Sequence, residues 1–496
     1  MNNRLTSIIG QALLLLLCSV CPTPASFASA TRVMLSVYPD SIISTPGSNA
    51  LGINVNYLTD GDRYPDATPI DSALKAMNVK FLRYPGGEKS DLYMFSSFPY
   101  EISRPTVTRT VGLDQYPGMF SPHGELLYDP LDFDEFMSLC KSTGTEPVIV
   151  VAADRYDLPA DSSLRQADRE QMIEHAAAWV RYSNITKGYN IRYWMVGNES
   201  WNDNNPNSTA ELYANDVIDF SEAMKQVDPG ILIVANGDKE AYFQKVIEIA
   251  GDKIDRLCVS NYGVYDFFKG YDTYRDTPTC LVYPAMTAIN AMKKYSTPQQ
   301  LQRYKMIVAE FGTIDWFNHW KGINDMGHVI VTFDMIGQLL QLPEVEFSCF
   351  WNTRWIECGK TPLQSDHDAV NEKGELNPTG VALKLWNSRP IHSLFKIDSS
   401  DDSIVAFAAT GSSSDEFYVY LLNKGNDAKS IECRLNVHGR CVPMHITEYH
   451  GKNPDDINPE LCEYDIHSDT VELKGFSVNV IRYSMPESFC RYTKKN

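Results

Sequence analysis

No run of lysine and arginine long enough to track a phosphate backbone occurs in the 496 residues, and 63 acidic against 44 basic side chains leave a formal charge of −19. An electrostatic grip on nucleic acid or on an anionic membrane surface is therefore disfavoured, and neutral or weakly charged partners fit better. Beyond the first thirty residues there is no Cys-x-x-Cys and no Cys/His cluster, which argues against a zinc site. A glycine-rich phosphate loop and a dinucleotide fingerprint are missing too, so neither a cofactor nor a metal is expected. No apolar run after residue 30 reaches the length of a membrane-spanning helix, and internal repeats and low-complexity segments are absent.

The N-terminus differs from the rest. Arg4 precedes an apolar stretch from Ile8 to Val20 with five consecutive leucines, and Ala28-Ser29-Ala30 or Ser26-Phe27-Ala28 then offers a small-x-small cleavage site. Residues 1–30 read as a signal peptide, which predicts a secreted or periplasmic mature chain without a transmembrane segment. Setting aside Cys18 and Cys21 from the 11 cysteines leaves nine, an odd number, so at least one thiol is free or pairs between chains. Cys258 and Cys349 lie in apolar runs and read as core. Cys433, Cys441, Cys462 and Cys490 are disulfide candidates whose pairing stays open. Asn184-Ile-Thr and Asn207-Ser-Thr are glycosylation acceptors in a eukaryotic host.

The length predicts one large domain and one smaller one. Strand-like runs recur at Gly52–Tyr57, Val79–Tyr84, Pro147–Ala152, Ile191–Val196, Ile231–Ala235, Ile254–Ser260, Tyr304–Ala309 and Val345–Trp351. Amphipathic stretches lie between them, among them Ile70–Met77, Asp132–Ser142, Arg169–Tyr182, Ala210–Val227 and Phe333–Leu340. Eight β-then-α units predict a (β/α)8 TIM barrel, an α/β fold, over residues 49–389. The stretch Pro85–Leu131 is too long for an ordinary connection and is expected to form loops over the barrel mouth. Past Pro390 the helical pattern gives way to closely spaced short strands, which predicts a C-terminal β-sandwich over residues 390–496. Residues 31–48 begin with an isolated strand, Thr31–Val37.

Two strand ends carry the chemistry. The run Ile191–Trp201 alternates apolar residues, stops at Gly197 and presents Asn198 and Glu199. Tyr304–Gly312 likewise delivers Glu310 just before a glycine. Side chains at the carboxyl ends of barrel strands face the active-site mouth, so two glutamates there suggest a two-carboxylate hydrolase. Trp316 and Trp351, at the ends of strands seven and eight, are candidates for stacking on a sugar face. Asn56 and Asn352 are further polar candidates at strand ends. His319 has no evident partner.

Leu82-Arg83-Tyr84-Pro85-Gly86-Gly87, Gly197-Asn198-Glu199, Glu310 and the closing Leu376-Asn377-Pro378-Thr379-Gly380 together resemble secreted α-L-arabinofuranosidases. More broadly they resemble the clan of retaining glycoside hydrolases with glutamates on barrel strands four and seven. That resemblance implies Glu199 as acid/base, Glu310 as nucleophile, Asn198 as a donor to the neighbouring sugar hydroxyl, and an N-terminal strand that joins the sandwich. It implies an oligo- or polysaccharide substrate. Arg83 reads as a sugar contact or as a charge partner of Glu310, and Glu88, Asn56, Tyr262, Trp316 and Trp351 as substrate contacts. The chain departs from the family pattern at Glu88, where an asparagine is usual, and at Ser260-Asn261-Tyr262-Gly263-Val264-Tyr265, where a histidine is usual. Both departures fall where the sugar is held, so agarase-like and heparanase/glucuronidase-like substrates stay open, as does a catalytically inactive carbohydrate-binding barrel.

Overall fold

The computed structural model describes residues 30–47, 50–61, 68–107, 121, 126–154, 163–202, 209–264, 267–317, 319–320, 324–354, 368–411, 417–436 and 439–484. The strand Thr31–Ser44 (β1) comes first. Eight strands then follow in sequence: β2 (Leu51–Asn54), β3 (Phe81–Tyr84), β4 (Glu146–Val151), β5 (Tyr193–Val196), β6 (Leu232–Asn236), β7 (Arg256–Asn261), β8 (Met306–Phe311) and β9 (Val345–Phe350). Each pairs in parallel with the next, and β9 pairs back onto β2 through Cys349 and Gly52, closing a TIM barrel.

The near-continuous apolar character of these strands follows from burial on both faces. In β4, Val148 and Val150 enter the barrel interior with Met195, Val234, Cys258, Ile307, Ala309 and Cys349, whereas Ile149 and Val151 face the surrounding helices. Cys258 and Cys349 are thus interior packing groups, and burial pushes both thiols up to about 12. Phe81 stacks on Phe347 with centroids 3.9 Å apart, and Tyr193 meets Phe347 edge-on at 5.2 Å. All three sit in the amino-terminal halves of their strands, so they plug the bottom of the barrel and leave function to the other end.

Local signals set the helices. Phe133–Thr143 is started by a capping box, in which the Asp132 side chain accepts from the Glu135 amide at 2.8 Å, and is stopped by Gly144 at φ +68°. The helix Met326–Leu340 begins seven residues earlier than its apolar periodicity suggests, capped by Asp325. Asn184, an expected glycosylation acceptor, has its amide committed to the Ile191 carbonyl and the Asp228 carboxylate, so it is a structural tie and not a free acceptor. Asn207 lies outside the described residues, as do residues 1–29, Trp355 and Cys490.

The segment after β3 begins at the barrel mouth, where Gly87 approaches Trp351 and Glu310, and then packs on a flanking helix, where the Phe95 amide donates to His175 and its ring stacks on Trp179 at 5.3 Å. A cluster of aromatic side chains, too large to leave in water, draws it there. Residues 108–120 and 122–125 of the same stretch are outside the described residues.

Nine C-terminal strands and β1 form one continuous ten-stranded sheet that curls around a second core. β1 lies inside it, parallel to Lys429–Leu435 and antiparallel to Ser393–Ser399. Strand Phe417–Asn423 shows how the two units join. Phe417, Val419 and Leu421 point into the second core, while Tyr418, Tyr420 and Leu422 pack on the barrel layer. Tyr420 stacks on Trp386 of the last barrel helix, Pro378–Trp386, at 4.2 Å. The region therefore buries both faces of a strand that a free-standing sandwich would leave half wet. Cys433 and Cys441 are buried near each other in this sheet, and both are free thiols.

Candidate active site

Glu310 ends β8 and is 4% exposed. Arg83, at the end of β3, donates from Nη1 to Glu310 Oε1 at 2.9 Å, and the Tyr262 phenol donates to Oε2 at 2.7 Å. Both carboxylate oxygens are therefore held. Arg83 is itself buried at 1% and reaches Asn54 Oδ1 at 2.7 Å, Asn198 Oδ1 at 2.6 Å and Met195 Sδ at 3.2 Å. Four of its five N–H donors bond within the protein, which makes it a positioning residue, and of the two roles open to it in sequence the charge partner is the one the geometry matches. Because Asn198 gives its Oδ1 to Arg83, its Nδ2 is left as the donor.

Glu199 stands on a strained turn. Gly197 has φ +68° and Glu199 itself φ +46°, a left-handed conformation that costs a residue with a Cβ on the order of 1–2 kcal/mol. The neighbouring strands pin this turn in place. Asp154, just past β4, accepts from the Asn198 amide at 3.1 Å and from Ser200 Oγ at 3.0 Å, and Asn236, ending β6, accepts from the Ser200 amide at 3.0 Å. A Cβ on Gly197 would lie 2.5 Å from Asp154 Oδ2, so the glycine is needed for this close approach as well as for its backbone angle.

The Glu199 carboxyl is strongly shifted. Burial, and after it the charge of Glu310, push the Glu199 carboxyl up to about 8 against hydrogen bonds from Ser260 and Asn202. At neutral pH Glu199 keeps its proton and can donate it. That is the acid and acceptor pair a two-carboxylate mechanism requires.

The remaining wall comes from β2, β3 and β9. A Cβ on Gly87 would fall 2.6 Å from the Trp351 ring and 3.1 Å from Glu310 Oε1, so the second glycine of Pro-Gly-Gly lets the backbone approach both. Gly86, at φ +140°, makes the turn. Trp351 is buried here with Tyr262 and Ile314. Asn56 and Asn352, both 1% exposed, leave Asn56 Nδ2 and both amide atoms of Asn352 without a protein hydrogen bond. Buried amides left in that state at strand ends are suited to ligand hydroxyls. Glu88 is half-buried and its charge also raises Glu199. Trp316 is 59% exposed and meets Tyr262 edge-on at 5.3 Å.

The structure thus gathers Glu199, Glu310, Asn198, Arg83 and Tyr262 at one end of the barrel, with Glu88, Trp351 and Trp316 beside them. Sequence reading did not single out Asp154, Asn236 or Ser200. Each is a polar residue at or just past a strand end, the one signal available for them. It also passed over Lys89, which is 1% exposed and whose ammonium is pulled down to about 7 by burial, with Asp368, Glu88, Asp60 and Glu310 opposing the shift. Among the described residues no group of three or more His, Cys, Asp or Glu side chains is placed to hold a metal ion.

Residues 73–279 match the family model described as "Alpha-L-arabinofuranosidase 1 domain", a span that contains Arg83, Asn198, Glu199 and Tyr262 and ends before Glu310. Probable α-L-arabinofuranosidase C of Aspergillus niger is 27% identical over 182 residues, 33% of this chain and 31% of that protein. α-L-Arabinofuranosidase C of Emericella nidulans is 25% identical over 233 residues, 41% of each chain. The matches thus cover 31% to 41% of these curated relatives. The structure of the α-L-arabinofuranosidase from Thermotoga maritima in its arabinose complex superposes with a TM-score of 0.67 at 17% identity, covering 92% of this chain and 100% of that one. A Paenibacillus polymyxa xyloglucanase from glycoside hydrolase family 44 superposes at 0.60 and 13% identity, with the same coverage. By the domain match across β3 to β7 this chain is similar to the α-L-arabinofuranosidases, and over nine-tenths of its length it shares their TIM-barrel fold.

Proposed function

We propose that this chain is a retaining glycoside hydrolase that releases α-L-arabinofuranosyl units from oligo- or polysaccharides by double displacement. The observation that carries this reading is the contrast between its two strand-end glutamates. Glu310 is gripped through both oxygens by Arg83 and Tyr262, while Glu199 holds a proton up to about pH 8. Glu310 attacks the anomeric carbon as Glu199 protonates the leaving oxygen. Once Glu310 is bonded to the sugar its charge is gone, and that charge was one cause of the raised Glu199 value. The acid is then free to serve as the base that draws a proton from the incoming water. Retention needs the two carboxyl groups about 5–5.5 Å apart.

The sugar assignment draws on the family match and on the names of the relatives. The apolar stretch at Ile8–Val20 supports the further reading that residues 1–30 direct export. A panel of nitrophenyl glycosides, with the product configuration followed by proton NMR, tests both sugar and mechanism. Turnover of the α-L-arabinofuranoside with retention is expected. Turnover of another glycoside in its place would redirect the sugar, and binding without turnover on any member would assign an inactive barrel.

A further inference from the structure

Away from the barrel mouth, the C-terminal sheet holds two thiols side by side, Cys433 and Cys441, each 1% exposed. Cys433 lies on the strand Lys429–Leu435, and the chain returns through the short strand Gly439–Arg440 to Cys441. Arg434 pairs with Arg440 and Leu435 with Gly439, so the next step of the same register sets Cys433 opposite Cys441. The Cys441 amide donates to the Cys433 carbonyl at 3.2 Å, which makes this a hydrogen-bonded pair of the ladder. Opposed residues of that kind have Cα atoms about 5.5 Å apart, inside the span of roughly 4.4–6.8 Å that a disulfide bridges. Both side chains enter the second core, so the sulfurs share one face of the sheet. A hydrogen bond between the two thiols, and after it burial, holds the Cys433 thiol well above its ordinary value.

The other described thiols are placed differently. Cys258 and Cys349 also share an apolar interior, but β8 runs between their strands. Two strand spacings of about 4.8 Å separate their backbones, beyond the reach of a disulfide. Cys140 is buried on the helix Phe133–Thr143, and Cys462 belongs to Glu460–Asp465, the strand at the other end of the sheet order. Among the described residues, Cys433 and Cys441 are thus the pair in bridging register.

We propose that Cys433 and Cys441 are joined in the mature chain by a cross-strand disulfide, formed by exchange with a small-molecule disulfide of the glutathione type. The strand Gly439–Arg440 is the last of the sheet and pairs only with Lys429–Leu435, so its local release admits the reagent. The thiolate of one cysteine attacks the reagent's S–S bond, forms a mixed disulfide and expels one reagent thiolate. The second cysteine loses its proton to solvent, attacks the protein sulfur of that mixed disulfide and expels the other reagent thiolate. Two protein thiols are oxidised to one disulfide, and the reagent is reduced to two thiols. The bridge ties down the outer edge of a strand whose inner edge carries β1, where Leu35 pairs with Cys433 itself. It therefore fixes the slot that β1 occupies.

The pairing can be read directly. The full chain is equilibrated with oxidised and reduced glutathione until its free-thiol count is constant, alkylated in denaturant, and digested with trypsin. Cleavage after Lys429, Arg434, Arg440 and Lys452 puts the two cysteines in separate peptides, Ser430–Arg434 and Cys441–Lys452, which only a disulfide can hold together. A linked pair of these peptides, lost on reduction, is expected. Reduction should also lower the thermal midpoint by roughly 1–4 °C, and that shift should vanish in Cys433→Ala/Cys441→Ala. The mapping needs wild type alone, so it decides the matter even where the double variant does not fold. Both peptides recovered only in alkylated form, either one carrying glutathione alone, or either one linked to a different cysteine would overturn the assignment. A midpoint indifferent to reduction in a bridged chain would overturn the bridge's part in holding β1.

Discussion

The phenol of Tyr262 donates to Glu310 Oε2 across 2.7 Å, opposite the oxygen that Arg83 holds. Hydrogen bonds to a charged acceptor contribute about 1.5–3 kcal/mol. Tyr262→Phe removes this one while keeping the ring and its contact with Trp316. A loss in kcat of about ten- to hundredfold is expected on nitrophenyl substrates, with a small change in thermal midpoint. An unchanged kcat would mean that Arg83 alone orients the carboxylate.

The two glutamates differ in their response to azide. Glu310→Ala should be inactive on every substrate, because nothing replaces the attacking group. Glu199→Ala should still form the glycosyl-enzyme from activated aryl glycosides and then stall for want of a base. Azide needs no base, so it should speed release and yield a glycosyl azide of the substrate's own configuration. Azide rescue of Glu310→Ala with retained configuration, and none of Glu199→Ala, would reverse the roles.

The raised Glu199 carboxyl predicts two pH effects. Activity should fall above about pH 8 as the acid loses its proton. For stability, the folded chain holds a proton from the ordinary 4.5 up to about 8 that the unfolded chain releases. Stability from this group is thus fully present below about 4.5 and lost as pH rises through 8. Calorimetry of wild type against Glu199→Gln should show the wild type losing ground across that window. In Glu310→Gln, NMR titration should place Glu199 lower, yet still above 4.5, because burial is the larger cause. A Glu199 value indifferent to Glu310 would show that the two carboxylates do not sense each other.

Gly197 and Gly144 share φ +68°, but only Gly197 is crowded, by Asp154 and Ser200, while nothing lies within 4 Å of a Cβ on Gly144. Gly144→Ala should cost about 1–2 kcal/mol for its backbone angle. Gly197→Ala adds the clash, for a total of about 2–4 kcal/mol, and should also displace Glu199 and abolish turnover. Equal midpoint shifts in chemical denaturation would mean that the Asp154 approach is unimportant.

Truncation at Pro390 would strip Tyr418, Tyr420 and Leu422 from the barrel layer and uncover Trp386. Insoluble protein is expected. A soluble truncation with full activity would show that the barrel stands alone.

The barrel was legible because each strand is an apolar run and each helix has its own period, and both are local signals. Glu199 and Glu310 were legible because each ends such a run beside a glycine. What supports them was not. Asp154 and Asn236 reach Ser200 across 46 and 36 residues of chain, and no spacing rule links them. The segment around Phe95 was rightly read as loop, but its seat on the barrel flank was not foreseen because its partners, His175 and Trp179, lie on a helix some eighty residues away. Arg83 was left between two roles because composition cannot count which of its donors the protein already uses.

β1 bonds to a strand made near the other end of the chain: Arg32 pairs with Glu432, 400 residues later. During synthesis β1 therefore waits, unpaired and β-prone, while the whole barrel emerges between it and its neighbours. Contacts of such long range are slow to form, and an unmatched strand edge is sticky in the meantime. The chain is stitched shut by its two ends, so nascent chains released early should need a chaperone most. A bulky fusion placed directly before Thr31 should slow maturation more than one placed after the last strand, although both termini are far from Glu199 and Glu310 in sequence.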